Sequence, residues 1–186
     1  HYQGNIQHLD LLNLDIKRWF NQGELTASEL IASGGSLHIY RDKRTPDDTN
    51  RQSKLPQELI KNLEIPFYFD SLKLRDYSIR YEEQTEDRPL PGLVYFEDLN
   101  IRAFPVTNLP YLLNSKPQLF VKASAMLMGE ALLETSMTYD LLSPTNQFTV
   151  SGHIQPFDLT ALNPVTRNAA GIAVRSGQLN RFDFDF

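Results

Sequence analysis

Ser71-Leu-Lys-Leu-Arg-Asp-Tyr-Ser-Ile-Arg-Tyr-Glu-Glu83, a polar loop, and then Gly92-Leu-Val-Tyr-Phe-Glu-Asp-Leu-Asn-Ile-Arg-Ala-Phe104 decide the fold of this chain. Apolar residues alternate at Leu72 and Leu74, at Ile79 and Tyr81, at Val94 and Phe96, and at Leu99, Ile101 and Ala103, with a change of phase between groups. A period of two puts one side of each segment on a core and the other in water, so the stretch predicts two strand units joined by a hairpin loop at 85–92. The phase changes mean that the strands are not simple ladders.

The same alternation extends outward. Leu119, Val121, Ala123, Ala125 and Leu127 share one face of a segment, and Ala131, Leu133, Thr135, Met137, Tyr139 and Leu141 share one face of the next. Gly129-Glu130 between them predicts a tight hairpin. Phe148, Val150 and Ile154 mark a further strand, Leu37–Tyr40 a short one, and Ile172–Phe186 a return to strand. Residues 5–16 are mixed in pattern. Short helices are expected at Lys17–Gln22, closed by Gly23, at Pro56–Leu63, with Pro at the first helical position, and at Phe157–Leu162, capped by Asp158. The charged segment 41–54 is expected to be a mobile surface loop, and the three prolines between Pro105 and Pro117 mark an irregular connection.

One spacing repeats. Apolar positions at x, x+2 and x+7 occur as Leu30, Ala32, Leu37, as Leu72, Leu74, Ile79, and as Ile172, Val174, Leu179. Four residues intervene each time, Ser33–Ser36, Arg75–Ser78 and Arg175–Gln178. They are either a bulge that bends one strand or a tight turn between two. The intervals of 42 and 100 residues are unequal, which speaks for a sheet elongated by loosely repeated meanders and against a regular solenoid.

Bulk properties narrow the function classes. The chain has 186 residues, 41% hydrophobic and 22% charged, enough for a real core in one β-rich domain spanning 1–186. A formal charge of -5 disfavours nucleic acid, and the basic residues from Arg41 to Arg75 are interleaved with carboxylates. There is no cysteine, hence no disulfide or thiolate chemistry. No apolar run reaches the ~18 residues of a membrane helix. The alternation running to Phe186 suggests a piece of a longer protein.

No catalytic signature is present. His1, His8, His38 and His153 lack metal-ligand spacing. Glu82, Glu83, Glu86 and Asp87 fall in a solvated hairpin region, where a catalytic pair would need burial. Ser33-Gly-Gly-Ser36 lacks the Lys of a phosphate loop and the spacing of a hydrolase elbow. The aromatics Tyr68, Tyr77 and Tyr95 with their neighbours sit at strand positions that favour a core over a sugar-stacking surface. The expectation is therefore no enzyme, no metal and no cofactor.

At Ser71-Leu-Lys-Leu-x4-Ile-x-Tyr-Glu-Glu, Gly92-x-Val-x-Phe-x-Asp-Leu-x-Ile, Ser151-Gly-His-Ile-x-Pro-Phe-Asp-Leu-Thr-Ala-Leu-Asn-Pro164 and Ile172-Ala-Val-Arg-Ser-Gly-Gln-Leu, the chain resembles the AsmA-like proteins of the Gram-negative envelope. The resemblance covers about residue 65 onward. It implies a long, curved, taco-like or partly open antiparallel sheet, carried on the periplasmic side of the inner membrane by an N-terminal anchor outside this segment. The implied role is lipid transport or outer-membrane biogenesis, with phospholipid as partner and an apolar β groove. Combined with the alternation, it nominates Leu72, Leu74, Ile79, Tyr81, Val94, Phe96, Val121, Ala123, Leu127, Leu133, Met137, Phe148 and Val150 as lipid-facing. The alternative is an extracytoplasmic module binding a protein or glycan through a sheet edge or the aromatic cluster.

Overall fold

The computed structural model describes residues 1–45 and 54–186. In chain order the elements are β1 (Tyr2–Leu12), α1 (Ile16–Gln22), β2 (Leu25–Asp42), α2 (Pro56–Lys61), β3 (Phe67–Gln84), β4 (Gly92–Phe104), β5 (Val106–Thr107), α3 (Pro110–Leu113), β6 (Gln118–Leu127), β7 (Ala131–Asp140) and β8 (Phe148–Ile154). Then follow β9 (Phe157–Asp158), a 3₁₀ turn at Leu159–Leu162, α4 (Asn163–Val165), a π turn at Thr166–Ala170, β10 (Gln178–Leu179) and β11 (Phe182–Asp185). The protein is mainly β. One large open sheet runs β1-β2-β3-β4-β6-β7-β8-β11, and β5 prolongs the pairing along β3.

The hairpins arise where the alternation places them. β3 pairs antiparallel with β4, and β6 with β7. The second turn is tight because Met128 and Gly129 both take positive φ (54° and 68°) while Glu130 N–H donates to Leu127 C=O at 3.0 Å. α1 opens on Asp15, whose Oδ1 accepts from Arg18 N–H at 3.0 Å, and closes on a left-handed Gly23. α2 carries Pro56 in its first turn, and Asp158 accepts from Thr160 N–H at 2.8 Å to start the 3₁₀ turn.

Four expectations are corrected. The sheet is mixed, because β2 and β3 run parallel. Parallel neighbours need a crossover, and α2 lies in the connection between the two strands. Residues 25–42 form one continuous strand instead of two pieces around Ser33–Ser36, and the mixed segment 5–16 is mostly the edge strand β1. At the C-terminal end only Gln178–Leu179 and Phe182–Asp185 are strand. Residues 172–177 are instead irregular, with a bend at Ser176, so the third copy of the repeat is not a copy of the unit. The expected loop at 41–54 begins after Asp42, and its residues 46–53 lie outside the described residues.

The first two copies of the repeat are neighbours. Leu30 pairs with Leu72, Ala32 with Leu74, Leu37 with Ile79 and Ile39 with Tyr81, so the interval of 42 residues is the register of the parallel pair. The four intervening residues are a bulge in both strands. Gly34 (φ 63°) and Asp76 (φ 52°) stand at matching heights, and β2 and β3 keep step through them without a register shift. The line continues into β4, where Asp98 has φ 49° and the register with β6 slips between Glu97 and Asn100. Each bulge inserts one residue and reverses the inside-outside phase of its strand. That is the physical source of the phase changes seen in the sequence.

The bulge level is held by close contacts. Asn5 Oδ1 accepts from Ser36 N–H at 2.9 Å, and Tyr77 Oη donates to Ser36 C=O at 2.8 Å. Gly35, with φ 143°, lies under the Tyr77 ring, and a Cβ there would collide with the Asn5 carbonyl oxygen. The core sits toward one end of the sheet, where Phe67, Phe69, Ala103, Leu119, Tyr139 and Leu141 meet Val106 and Leu113. α2 is tied to that end through Gln57 Nε2, which donates to Asn146 C=O at 2.9 Å.

Gly35→Ala is expected to lower stability by about 2–3 kcal/mol, since it combines an unfavourable φ with a backbone clash. Asp76→Gly should be neutral or stabilising by up to about 1 kcal/mol, because it relieves a left-handed non-glycine residue. Urea unfolding of the two variants beside the parent protein checks both signs.

Candidate functional site: the apolar face of the sheet

Residues directly opposite on neighbouring strands share a face, so the register decides where the nominated residues lie. Leu72, Ala103, Val121, Met137 and Val150 form one row across five strands, beginning from Leu30 on β2. Leu74, Ile101 and Ala123 lie in the next row on the same face. Beyond the bulges Ile79, Phe96, Leu127 and Ala131 form a third row, and Tyr81 pairs with Val94 in a fourth. Because β6 passes from Val121 to Leu127 with no bulge, these rows belong to one face. Leu133 stands beside Ala125, and Phe148 beside Tyr139, on that face too. All thirteen nominated residues therefore share one side of the sheet, and the bulges are what keep them together.

Coverage of this face is uneven. At one end Leu119 is 2% exposed in the core below α2 and α3; at the other Leu127 is 9% and Ala131 1% exposed. There the segment after β8 folds back: Phe157 is buried, Asn168 Nδ2 donates to Pro91 C=O at 3.0 Å, and Ala169 packs against Gly92. Between the two ends Leu72, Leu74, Val121, Ala123, Met137 and Val150 stay half-buried. Phe148, near the β11 edge, is 39% exposed and stacks on Tyr139 with centroids 5.6 Å apart. The middle of the face is thus an apolar strip that the chain's own residues only partly cover.

The opposite face is polar and holds the shallow trough of the sheet, about 680 Å³. A twisted sheet is saddle-shaped, so each face is concave along one diagonal. The trough is lined by Lys73, Arg102 and Lys122 on three adjacent strands, with Ser136 and Ser151 beyond them. Arg102 and Lys122 were not singled out by the sequence reading. The only signal for them is that each occupies the polar phase of an alternating strand, and which cations become neighbours depends on the register.

The other candidates are placed as follows. Glu82 and Glu83 lie on β3, on opposite faces by alternation, each with its own cations. Glu82 accepts from Arg80 Nη2 at 2.7 Å and faces His38 Nε2 at 2.9 Å. The hydrogen bonds from Arg80, opposed by burial and aided by His38, hold its carboxyl below the usual range. For Glu83 burial pushes upward, but Lys43 Nζ at 2.6 Å, Tyr81 Oη and the Arg41 charge outweigh it and the net shift is downward. Carboxylates held ionised in this way are suited to ion pairing and not to proton donation. His153 faces Glu134 at 3.3 Å on the polar side. The phenols of the aromatic cluster are engaged internally: Tyr68 with Asp70, Tyr77 with Ser36 C=O, and Tyr95 with Met128 C=O at 2.9 Å. Among the described residues no helix is long and apolar enough to cross a membrane.

No protein-family model matches this chain, and no curated protein matches it.

The ion pairs of Glu82 and Glu83 set a pH dependence. Their folded pKa values lie below the ordinary glutamate value of 4.5, so their contribution is present above that value and is lost as pH falls through the lower folded value. Glu82→Gln should therefore be less stable than the parent at neutral pH, and the difference should shrink on acidification below about pH 4.5, read from urea midpoints across a pH series.

Proposed function

We propose that this chain is a non-enzymatic, lipid-handling segment of the AsmA-like kind, which receives phospholipid acyl chains on the apolar face of its open sheet. The observation that supports the reading is the convergence of all thirteen nominated residues on one face, with its middle half-exposed. Acyl chains need a continuous dry surface and no directional polar ligand, and this strip offers that. On this reading the segment works on the periplasmic side of the inner membrane, anchored there by its parent protein, and serves lipid transport and outer-membrane biogenesis. The resemblance at Ser71–Glu83, Gly92–Ile101 and Ser151–Pro164 is the basis for the location and the family.

A second reading, a module that adds a protein partner's strand to its edge, draws support from β1. Its 11 residues are exposed throughout, and Ile6, Leu9 and Leu12 present large apolar side chains beside a strand edge that is unpaired among the described residues.

The decisive measurement is native mass spectrometry with lipid extraction on protein expressed in a Gram-negative host. Phospholipid should accompany the folded protein. The paired substitution Leu74→Asp and Val150→Asp should lower the bound fraction about tenfold or more, as loss of ~1.5 kcal/mol or more of apolar contact implies. Lipid-free protein with an unchanged thermal melt, or lipid retained by the Asp variant, would overturn the lipid reading and leave the β1 edge as the surface to pursue.

A further inference from the structure

The polar face carries a charge arrangement that works against folding. Lys73, Arg102 and Lys122 stand directly opposite one another on β3, β4 and β6, in one unbroken cross-strand row. Like charges at such positions destabilise a sheet, yet here three follow in succession in a chain whose net charge is -5. Local rules are broken in this way where a site needs them broken.

The row is only partly neutralised from within. Lys73 Nζ is 2.5 Å from Glu29 Oε1. Arg102 lies with its Cζ 4.8 Å from the centroid of the Phe104 ring, which itself packs against Phe120 at 5.9 Å. That contact orients the guanidinium and leaves its N–H donors without an ion pair or hydrogen bond among the described residues. Lys122 likewise has no such partner among the described residues. Arg75 adds a further cation to the lining, and Glu134, engaged with His153, is the lining's one carboxylate. Past Lys122 the row continues with the hydroxyls of Ser136 and Ser151 before it ends at Asp185 on the edge strand.

We infer that this trough binds an oxyanion of the phosphate class, held between Arg102 and Lys122. Adjacent strands lie about 4.8 Å apart, so one tetrahedral phosphate fits between the two side chains. The Arg102 fork supplies paired donors to two of its oxygens and Lys122 a compact positive charge to a third. Asp185 and Glu134 bound the positive region on the β8 and β11 side. This inference concerns the face opposite the proposed acyl surface and stands independently of it. The phosphate can be a free anion or the headgroup of an anionic lipid, since the donors recognise the same oxygens in both.

The test uses the whole chain. Isothermal titration with inorganic phosphate and pyrophosphate forms one arm; cosedimentation with vesicles of phosphatidylglycerol and phosphatidylcholine, against phosphatidylcholine alone, forms the other. Arg102→Gln with Lys122→Gln is compared with Lys61→Gln and Lys116→Gln, which change the net charge equally at exposed positions away from the trough. The trough pair should weaken binding about 25-fold, roughly fivefold for each charge, whereas the distant pair should change it by less than about twofold. Thermal melts should show the trough pair folded and no less stable, because it removes like-charge repulsion. Binding in solution assigns a free anion, and binding to charged vesicles alone assigns a headgroup. Failure of the parent protein to bind in either arm, or equal weakening by the distant pair, would overturn the inference.

Discussion

Gly35 has a carbonyl oxygen of β1 where any other residue would carry its Cβ, and a tyrosine ring of β3 beside it. This close approach fixes the level at which β1, β2 and β3 change phase. Because β2 and β3 are parallel and in register, a bulge in one without a bulge in the other would put their side chains out of step from that height onward. The two bulges, Gly34 and Asp76, prevent it. The antiparallel partner β4 adds its own at Asp98, and β6 needs none. Without these insertions Ile79, Tyr81, Val94 and Phe96 would face the side that holds Lys73 and Arg102. The separation of an apolar face from a cationic one rests on three inserted residues.

Much of this was legible. The hairpins at Ser71–Phe104 and Leu119–Leu141 followed from alternation with turn residues between, and α1, α2 and the 3₁₀ turn from Gly23, Pro56 and Asp158, because these signals are local. The change of phase was visible too, as was the reuse of one spacing at an interval of 42 residues. Its meaning was not. A repeat of that kind is what a parallel pair must show when its strands share a bulge, yet an open turn in each copy fits the same letters. Only the pairing of Leu30 with Leu72 distinguishes them.

What stayed hidden depends on neighbours far apart in sequence. β1 lacks a clean alternation because it is an edge strand exposed along its length, with little burial to enforce a pattern. The Ile172–Leu179 copy matches the spacing but follows Gly171 and contains Gly177, both with positive φ, and its backbone is an irregular connection that returns the chain to β11. The cationic row is invisible for the same reason that it is informative. Lys73, Arg102 and Lys122 are widely separated along the chain, and nothing local makes them adjacent.

The two faces also constrain each other. A β-sheet is a closed layer of hydrogen-bonded backbone, so a ligand on one side cannot pass through it to the other. A lipid whose acyl chains lie along Val121, Met137 and Val150 could reach the cations only around an edge. The β11 edge carries Asp185 and an Asp183 paired with Arg181, whereas the β1 edge is long, mixed in character and exposes Ile6, Leu9 and Leu12. An anionic headgroup held in the trough, as inferred above, would turn the polar face, and not the strip, toward an anionic surface. An apolar strip held away from the charged surface is the arrangement expected of a sheet that shields acyl chains from water, in contrast to one that inserts into the bilayer.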